Sequence, residues 1–178
     1  MAASQLYVLL QKGEDPFHTR FEDLDGHSAF TIQEVDGMPN TLVQLRREAP
    51  WTQKHQGVMG PGAAFFYFGP AGAPGYLIYG NAPSQPMATT LRRKRSSALH
   101  SSQYFTSRNG RLLKWKQLPN NRMECVDGKQ VLAIYEAGQA SRDYSALLTV
   151  SHAGLAVVTE ILTTLLLSQM ATVLQWQS

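Results

Sequence analysis

Cysteine is almost absent from this chain of 178 residues, in which Cys125 stands alone. A single cysteine excludes an internal disulfide and is typical of a reducing compartment. The first ten residues lack the basic start and the long apolar run of a secretory signal, and no Asn-x-Ser/Thr acceptor site occurs. We therefore expect a cytoplasmic protein, with peripheral membrane and nuclear locations as the alternatives.

The residues that build catalytic and metal sites are also sparse or badly spaced. The five histidines show no H-x-H, H-x-x-x-H or H-E-x-x-H spacing, which argues against a metal centre. Cys125 lies within a predicted strand, where a lone cysteine is usually a small packing residue and not a nucleophile. Residues 57–62 are rich in glycine but lack the Gly-Lys-Ser/Thr ending of a phosphate-binding loop. We therefore predict no catalytic residue, no metal and no cofactor, and favour a protein that is not an enzyme.

Acidic residues are missing from residues 49–123, which hold ten basic residues. Residues 1–48 carry eight acids and four bases, and residues 124–178 carry five acids and two bases. Such segregation favours a basic surface for the phosphates of lipid or nucleic acid, provided that the fold gathers these side chains on one face. The alternative is that they are spread over ordinary solvated strand faces.

The longest apolar stretch is the C-terminal one, where Glu160 is the one charged residue between residues 153 and 174. Its apolar residues cover nearly every helical azimuth, so a helix here must be buried, and Ser151 is placed to cap its N-terminus. The length would also cross a bilayer, but its threonines, serine and glutamine are too many polar groups for lipid. We favour a helix buried in protein over a membrane tail anchor.

Short strands broken by turn residues fill the rest of the chain. Asn109-Gly110 predicts a hairpin with a type I′ turn. In the strand that follows, alternation puts Leu113 and Trp115 on one face and Lys114 and Lys116 on the other. Residues 50–62 and 69–75 are rich in glycine and proline and are predicted as loops. The remaining pattern predicts about eleven or twelve strands, at residues 6–10, 29–35, 41–48, 63–68, 76–79, 87–93, 99–106, 111–116, 122–126, 130–136 and 145–150.

So many consecutive strands with short connections predict an antiparallel meander, which either forms a sandwich or closes into a barrel. A helix that is apolar all round would waste half its surface on one face of a sandwich, whereas a barrel surrounds it. We therefore predict one mainly β domain over residues 1–178. It is a closed antiparallel β-barrel of about twelve strands, at about residues 5–150, around a central hydrophobic helix at about residues 152–176.

Three segments carry a resemblance to a known family: the turn and tryptophan strand of residues 107–116, the strand pair of residues 123–127 and 131–136, and the helix of residues 157–167. With them the chain resembles the tubby C-terminal-like superfamily, which includes tubby proteins, phospholipid scramblases and the LURP-one-related plant proteins. Over about residues 100–170 it is similar, more closely, to a fungal family of unknown function. The resemblance implies a closed barrel around a hydrophobic C-terminal helix.

What the resemblance implies for function concerns lipid. Tubby domains bind phosphoinositide head groups through basic side chains, and scramblases are associated with phospholipid movement and calcium. No motif here matches either site residue by residue, so no binding residue is carried over. The acidic calcium-binding and transmembrane features of scramblases are not evident in the sequence.

The basic residues around the predicted strands are the candidate site. We expect a non-enzymatic module that binds anionic phospholipid or phosphoinositide head groups at a membrane surface, where each Lys or Arg contributes about 1 kcal/mol. Phosphorylation of Ser96 or Ser97 would add negative charge beside the arginines and release the protein. The candidate anion-binding residues are Arg92, Arg93, Lys94, Arg95, Lys114 and Lys116.

Two other functions remain open. A nucleic-acid-binding or nuclear adaptor protein would use the same charges, with residues 92–95 as a localisation signal, although it lacks a predicted recognition helix. An enzyme or a small-ligand carrier would need a site at the barrel mouth, near the glycine- and proline-rich loops. A helix that fills the barrel leaves little room for a deep interior pocket.

Overall fold

One antiparallel sheet of thirteen strands makes up most of the computed structural model, which describes residues 5–37, 39–97, 100–138 and 143–176. The strand order is β7-β6-β5-β4-β3-β2-β1-β13-β12-β11-β10-β9-β8. Strands that pair are consecutive in sequence, except that β1 pairs with β13. The strands are β1 (Leu6–Lys12), β2 (Thr19–Glu22), β3 (Ser28–Asp36), β4 (Leu42–Arg47), β5 (Ala63–Tyr67), β6 (Tyr76–Tyr79), β7 (Gln85–Pro86), β8 (Arg92–Ser97), β9 (His100–Thr106), β10 (Leu112–Leu118), β11 (Arg122–Asp127), β12 (Gln130–Ala137) and β13 (Ala146–Ser151).

The C-terminal apolar stretch forms two helices where we predicted one. The short α3 (His152–Leu155) is followed by α4 (Val158–Val173), and Val157 between them has non-helical backbone angles. The predicted cap is confirmed, since the Ser151 hydroxyl accepts a hydrogen bond from the backbone N–H of Gly154 at 3.2 Å. Gly154 also lies so close to β12 that a side chain there would clash with a backbone carbonyl. The chain is therefore tied to the sheet before α4 begins.

The helix α4 is buried on all sides as far as Leu167, as predicted, but its last turn is exposed at Thr172 and Val173. Every residue from Val158 to Leu167 is buried, and Leu162 and Leu166 are fully so. The inward side chains of the sheet join α4 in one apolar core, and the Trp115 indole N–H donates to the Thr164 hydroxyl at 3.0 Å. Burying seven large apolar side chains of α4 at about 1.5–3 kcal/mol each makes this helix the centre of the domain. No helix in the described part of the chain is both long and apolar enough to cross a bilayer.

The sheet has two edges, so the predicted barrel closure is not confirmed. The edges are β7 and β8, although only residues 87–91 separate them in the chain. We predicted a strand over residues 87–93, but its first part forms the short helix α2 (Met87–Thr90). The hydroxyls of Thr89 and Thr90 both donate to the Pro86 carbonyl, which holds this turn. Because proline cannot donate to a strand ladder, Pro86 lies at a sheet edge.

Three further elements differ from the prediction. The strand β2 was missed, because Phe21 is its one buried apolar residue. The segment predicted as a loop at residues 50–62 begins with the helix α1 (Ala49–Lys54), where Pro50 in the first turn favours a helix start and Trp51 is buried. The loop at residues 69–75 contains a short 3-10 turn, Pro70–Gly72.

The predicted hairpin between β9 and β10 is confirmed, but the predicted type I′ turn is wrong. Its loop covers residues 107–111, where the N–H of Ser107 donates to the Arg111 carbonyl at 2.9 Å. Gly110 has φ of 81°, whereas Asn109 is not among the residues with positive φ. A type I′ turn needs positive φ at both central residues, so this longer loop is a different turn.

Candidate functional site

Four of the six predicted anion-binding residues lie on one face of the sheet, beside its β8 edge. The register pairs Arg92 with Tyr104 and Tyr104 with Lys114, so these three side chains form one row across β8, β9 and β10. The adjacent row consists of Lys94, Ser102 and Lys116. Directly paired residues of antiparallel strands project from the same face. We call this surface the outer basic face; it consists of Arg92, Lys94, Lys114 and Lys116.

The hypothesis that all six residues share one surface is wrong for Arg93. This residue pairs with Gln103, which pairs with the buried Trp115, so Arg93 lies on the inner face of the sheet. The basic run is part of β8, and neighbours in a strand point to opposite faces. The side chains of Arg95, Ser96 and Ser97 lie outside the described part of the chain.

The outer basic face has defined electrostatic limits. Arg92 and Lys94 are exposed, and the Lys114 ammonium lies 5.5 Å from the centroid of the Tyr104 ring. Such a cation–π contact fixes the position of the charge without neutralising it. Lys116 pairs across the sheet with Glu124, whose carboxylate also contacts Arg122 at 3.3 Å. The cations of this face that have no acidic residue as a cross-strand partner are therefore Arg92, Lys94 and Lys114, and Lys116 forms the boundary of the face.

On the inner side of the same edge lies a cavity of about 480 Å³, between α2, β8 and the last turns of α4. We call it the seam cavity. Its walls are mostly apolar, and its polar lining residues include the two arginines of β8 and Gln103. The residues that matter most for its chemistry are Met87, Leu91, Arg92, Arg93, Leu167 and Trp176.

Two further cavities continue from the seam cavity around the end of α4. The middle one, of about 230 Å³, shares Arg93, Gln103 and Ser168 with the seam cavity. It shares Tyr135 and Gln169 with a third cavity of about 520 Å³. We expected the helix to leave little room for a deep interior pocket, and this holds only up to Leu167. The helix α4 fills the interior to that point and is partly exposed beyond it.

A hydrogen-bonded pair lines both the middle cavity and the third. The Gln169 amide donates to the Tyr135 hydroxyl, and this hydroxyl donates to Gln11, both at 2.9 Å. Burial raises the pKa of Tyr135, so the hydroxyl keeps its proton and remains a donor. Sequence reasoning missed these cavities because their walls come from segments that share no periodicity or motif.

A buried carboxyl lies at the opposite end of α4. Glu160, in the first turn, is 3% exposed, and burial raises the pKa of its carboxyl group. The loop that contains Gly60 covers it, since a Cβ at this glycine would lie 3.6 Å from the Glu160 Oε2. Arg47 holds that loop by donating to the carbonyls of Met59, Gly60 and Pro61 at 2.9, 3.3 and 3.0 Å. The glycines of this loop thus permit close packing over a carboxyl.

Two other groups of reactive side chains have structural roles. Cys125 is fully buried and burial raises the pKa of its thiol, so it stays protonated and is a poor nucleophile. Asp23, Asp25 and His27 bring one potential metal-ligand atom each to within 4.8 Å of one another. The Asp23 carboxylate accepts the backbone N–H groups of Asp25 and His27 at 3.0 and 2.8 Å, which closes the loop between β2 and β3.

Comparisons with known proteins do not assign this chain to a family. No protein-family model matches it, and neither does any curated protein or solved structure. What the protein does must therefore be inferred from its own geometry.

Proposed function

We propose that this protein is a non-enzymatic module that binds anionic phospholipid head groups, phosphoinositides included, at the cytoplasmic surface of a membrane. The observation that carries the proposal is the outer basic face. Four cationic side chains lie in two adjacent rows there, within a segment of the chain that has no acidic residue. Within one strand the two cations are about 7 Å apart, and β8 and β10 are two strand spacings, or about 10 Å, apart, which is comparable with the Debye length of about 8 Å at physiological salt. Neighbouring charges of the face are therefore only partly screened from one another.

The resemblance to the tubby C-terminal-like superfamily supports the same function, since tubby domains bind phosphoinositide head groups. We further propose that the sheet closes as a tubby-like barrel around α4, with α2 bridging the two edges. The short chain distance between β7 and β8 and the complete burial of α4 from Val158 to Leu167 support this closure. Closure would hold the outer basic face as a rigid convex surface.

The energy available from this face is sufficient for reversible membrane binding. Each Lys or Arg beside an anionic membrane contributes about 1 kcal/mol, so Arg92, Lys94 and Lys114 together contribute about 3 kcal/mol, or on the order of a hundredfold in affinity. Because the interaction is mainly electrostatic and exposed, it must weaken steeply as salt is added.

Vesicle sedimentation tests the proposal. We expect the protein to sediment with vesicles that contain phosphatidylserine or phosphoinositides, to remain in solution with phosphatidylcholine alone, and to be released by salt. The double variant Lys94→Gln, Lys114→Gln should weaken binding by about tenfold or more. Its matched control is Lys54→Gln, Lys129→Gln, which removes the same charge from exposed positions outside the face. Equal losses in the two variants would show that only net charge matters.

A duplex-DNA shift assay beside the vesicles tests the nucleic-acid alternative. Among the described residues, α1, α2 and α3 have four to six residues each and α4 is buried, so none of these helices can serve as a recognition helix in a major groove. We expect only weak DNA binding that salt abolishes. Tight DNA binding without vesicle binding would refute the membrane proposal.

A further inference from the structure

The two edges of the sheet, β7 and β8, lie beside the outer basic face. The edge strand β7 has only two residues, and α2 occupies the chain between the two edges. At these edges lies a groove of about 470 Å³ lined by Gln85, Thr89 and Arg92, among others. Arg92 also lines the seam cavity on the inner side. The groove and the seam cavity therefore share this arginine as a lining residue.

The inner part of the seam cavity is apolar and held in place. Met87 and Leu167 are buried, and Leu91 is half-buried beside them. The Trp176 indole N–H donates to the Gly72 carbonyl at 2.7 Å, and its ring lies 6.0 Å from that of Phe68. A wall fixed in this way is ready to receive an apolar group, and about 480 Å³ is within the usual size range of small-molecule sites.

The polar part of the cavity is cationic. Arg92 and Arg93 are consecutive residues of β8 and both line the cavity, whereas no carboxylate does so among the described residues. Gln103, the cross-strand partner of Arg93, has a buried amide oxygen without a hydrogen-bond partner in the described part of the chain. Guanidinium groups bind carboxylates and phosphates through paired, charge-assisted hydrogen bonds. The cavity thus combines an apolar end with an anion-binding end.

We propose that the seam cavity binds one single-chain anionic amphiphile. The acyl chain lies against Met87, Leu167 and Trp176, and the carboxylate or phosphate head is bound by Arg93, which lies on the inner face of the sheet. Arg92, whose side chain belongs to the opposite face, borders the same cavity at the edge strand. A ligand hydroxyl, where one is present, donates to the amide oxygen of Gln103. This site differs from the outer basic face because it encloses the acyl chain, and Arg92 is the one residue that belongs to both.

The test uses the full chain and cis-parinaric acid, a fatty acid whose fluorescence increases in an apolar site. We expect saturable binding of one molecule per chain. Lauric acid and lysophosphatidic acid should displace it, and the tighter competitor identifies the head group as carboxylate or phosphate. Dodecanol, which has no charge, should compete about tenfold more weakly than lauric acid. Equal competition by dodecanol would overturn the role of the arginines.

Two variants locate the site. Ala171→Phe adds a ring to a residue that lines the cavity, and Arg93→Gln removes a cation from its polar end. Each should weaken parinaric acid binding by about tenfold or more. Val173→Phe, on the same helix but exposed and outside the seam cavity, is the matched control and should leave binding unchanged. If Ala171→Phe lowers the melting temperature, Ala88→Phe, at an exposed position of α2, replaces it.

The result separates this proposal from head-group binding at the outer basic face. Ala171→Phe should lose parinaric acid binding yet sediment with anionic vesicles as the unmodified protein does. Lys94→Gln with Lys114→Gln should show the reverse pattern. Absence of saturable parinaric acid binding, or unchanged affinity in both Ala171→Phe and Arg93→Gln, would overturn the seam-cavity proposal whatever the vesicles show.

Discussion

Replacing Glu160 by glutamine should stabilise this protein at neutral and alkaline pH. The carboxyl group is 3% exposed, and its Oε2 has no hydrogen-bond partner among the described residues. Desolvation raises its pKa. Backbone N–H groups of Glu160 and Arg108 and the charges of Arg108 and Arg47 oppose this effect without cancelling it. The protonated form of Glu160 is therefore more favoured in the folded protein than in the unfolded chain.

The sign of the pH dependence follows from that direction. The folded protein holds the proton of Glu160 to higher pH than the unfolded chain does, so the folded state binds more protons and stability falls as pH rises. The free energy of unfolding begins to fall near the ordinary carboxyl pKa, where the unfolded chain loses the proton of Glu160. It stops falling once the folded protein has lost this proton as well. Within that range the loss approaches about 1.4 kcal/mol per pH unit.

The variant Glu160→Gln is uncharged at every pH and avoids this loss. An unsatisfied buried polar group costs about 1–3 kcal/mol. We take this as the gain in the free energy of unfolding of the variant at pH values where Glu160 of the wild type is ionised. At about 2.1 cal/mol/K per residue, the entropy of unfolding of this chain converts the gain to about 3–8 °C in melting temperature. Below about pH 4 the difference between variant and wild type should reach its lowest value.

Urea denaturation of both proteins from about pH 4 to about pH 9 measures the difference directly. The matched control is Ile161→Val, a fully buried and uncharged neighbour on the same helix, which should cost about 0.5–1.5 kcal/mol equally at every pH. If the advantage of Glu160→Gln is constant, or shrinks as pH rises, the buried carboxylate is stabilised by its surroundings and the reasoning fails.

Three other predictions concern the core and its connections. Leu162→Asp should prevent soluble expression, because an unpaired charge in the core costs several kcal/mol; a soluble variant with native near-ultraviolet circular dichroism would contradict this. Gly154→Ala should destabilise the protein in thermal melts through its clash with the Leu132 carbonyl, whereas Gly62→Ala, with open space around it, should change the melting temperature little. Ser151→Ala should cost about 1 kcal/mol in urea denaturation by removing the α3 cap, and an unchanged midpoint would show that the cap is dispensable.

Features that depend on local periodicity were predictable from the sequence. The alternation in β10 puts Leu113 and Trp115 inward and its lysines outward, as expected. The same alternation separates Arg92 from Arg93, once the basic run is recognised as part of a strand and not as a connection between strands. The type of turn at Asn109 was not predictable, because the number of residues in the loop depends on where the pairing of β9 and β10 ends.

Local propensity also failed where neighbouring residues changed the outcome. Residues 87–91 include apolar and β-branched side chains that favour a strand, yet Pro86 ends β7 and the threonine hydroxyls satisfy its carbonyl within a helical turn. Whether the sheet closes was not predictable from the sequence either. It requires backbone hydrogen bonds between two particular edges, and these edges are β7 and β8.

By itself the sequence determined that the protein is mainly β, that its C-terminal helix must be buried, and that positive charge is concentrated in the middle of the chain. Only the tertiary structure decided which distant residues meet. It brings Arg47 to the loop over Glu160, and it places the arginines of β8 beside Trp176 at the end of the chain. Hydrophobic patterning specifies which side of each element is buried, but cavities and charge clusters depend on the register and order in which the elements pack.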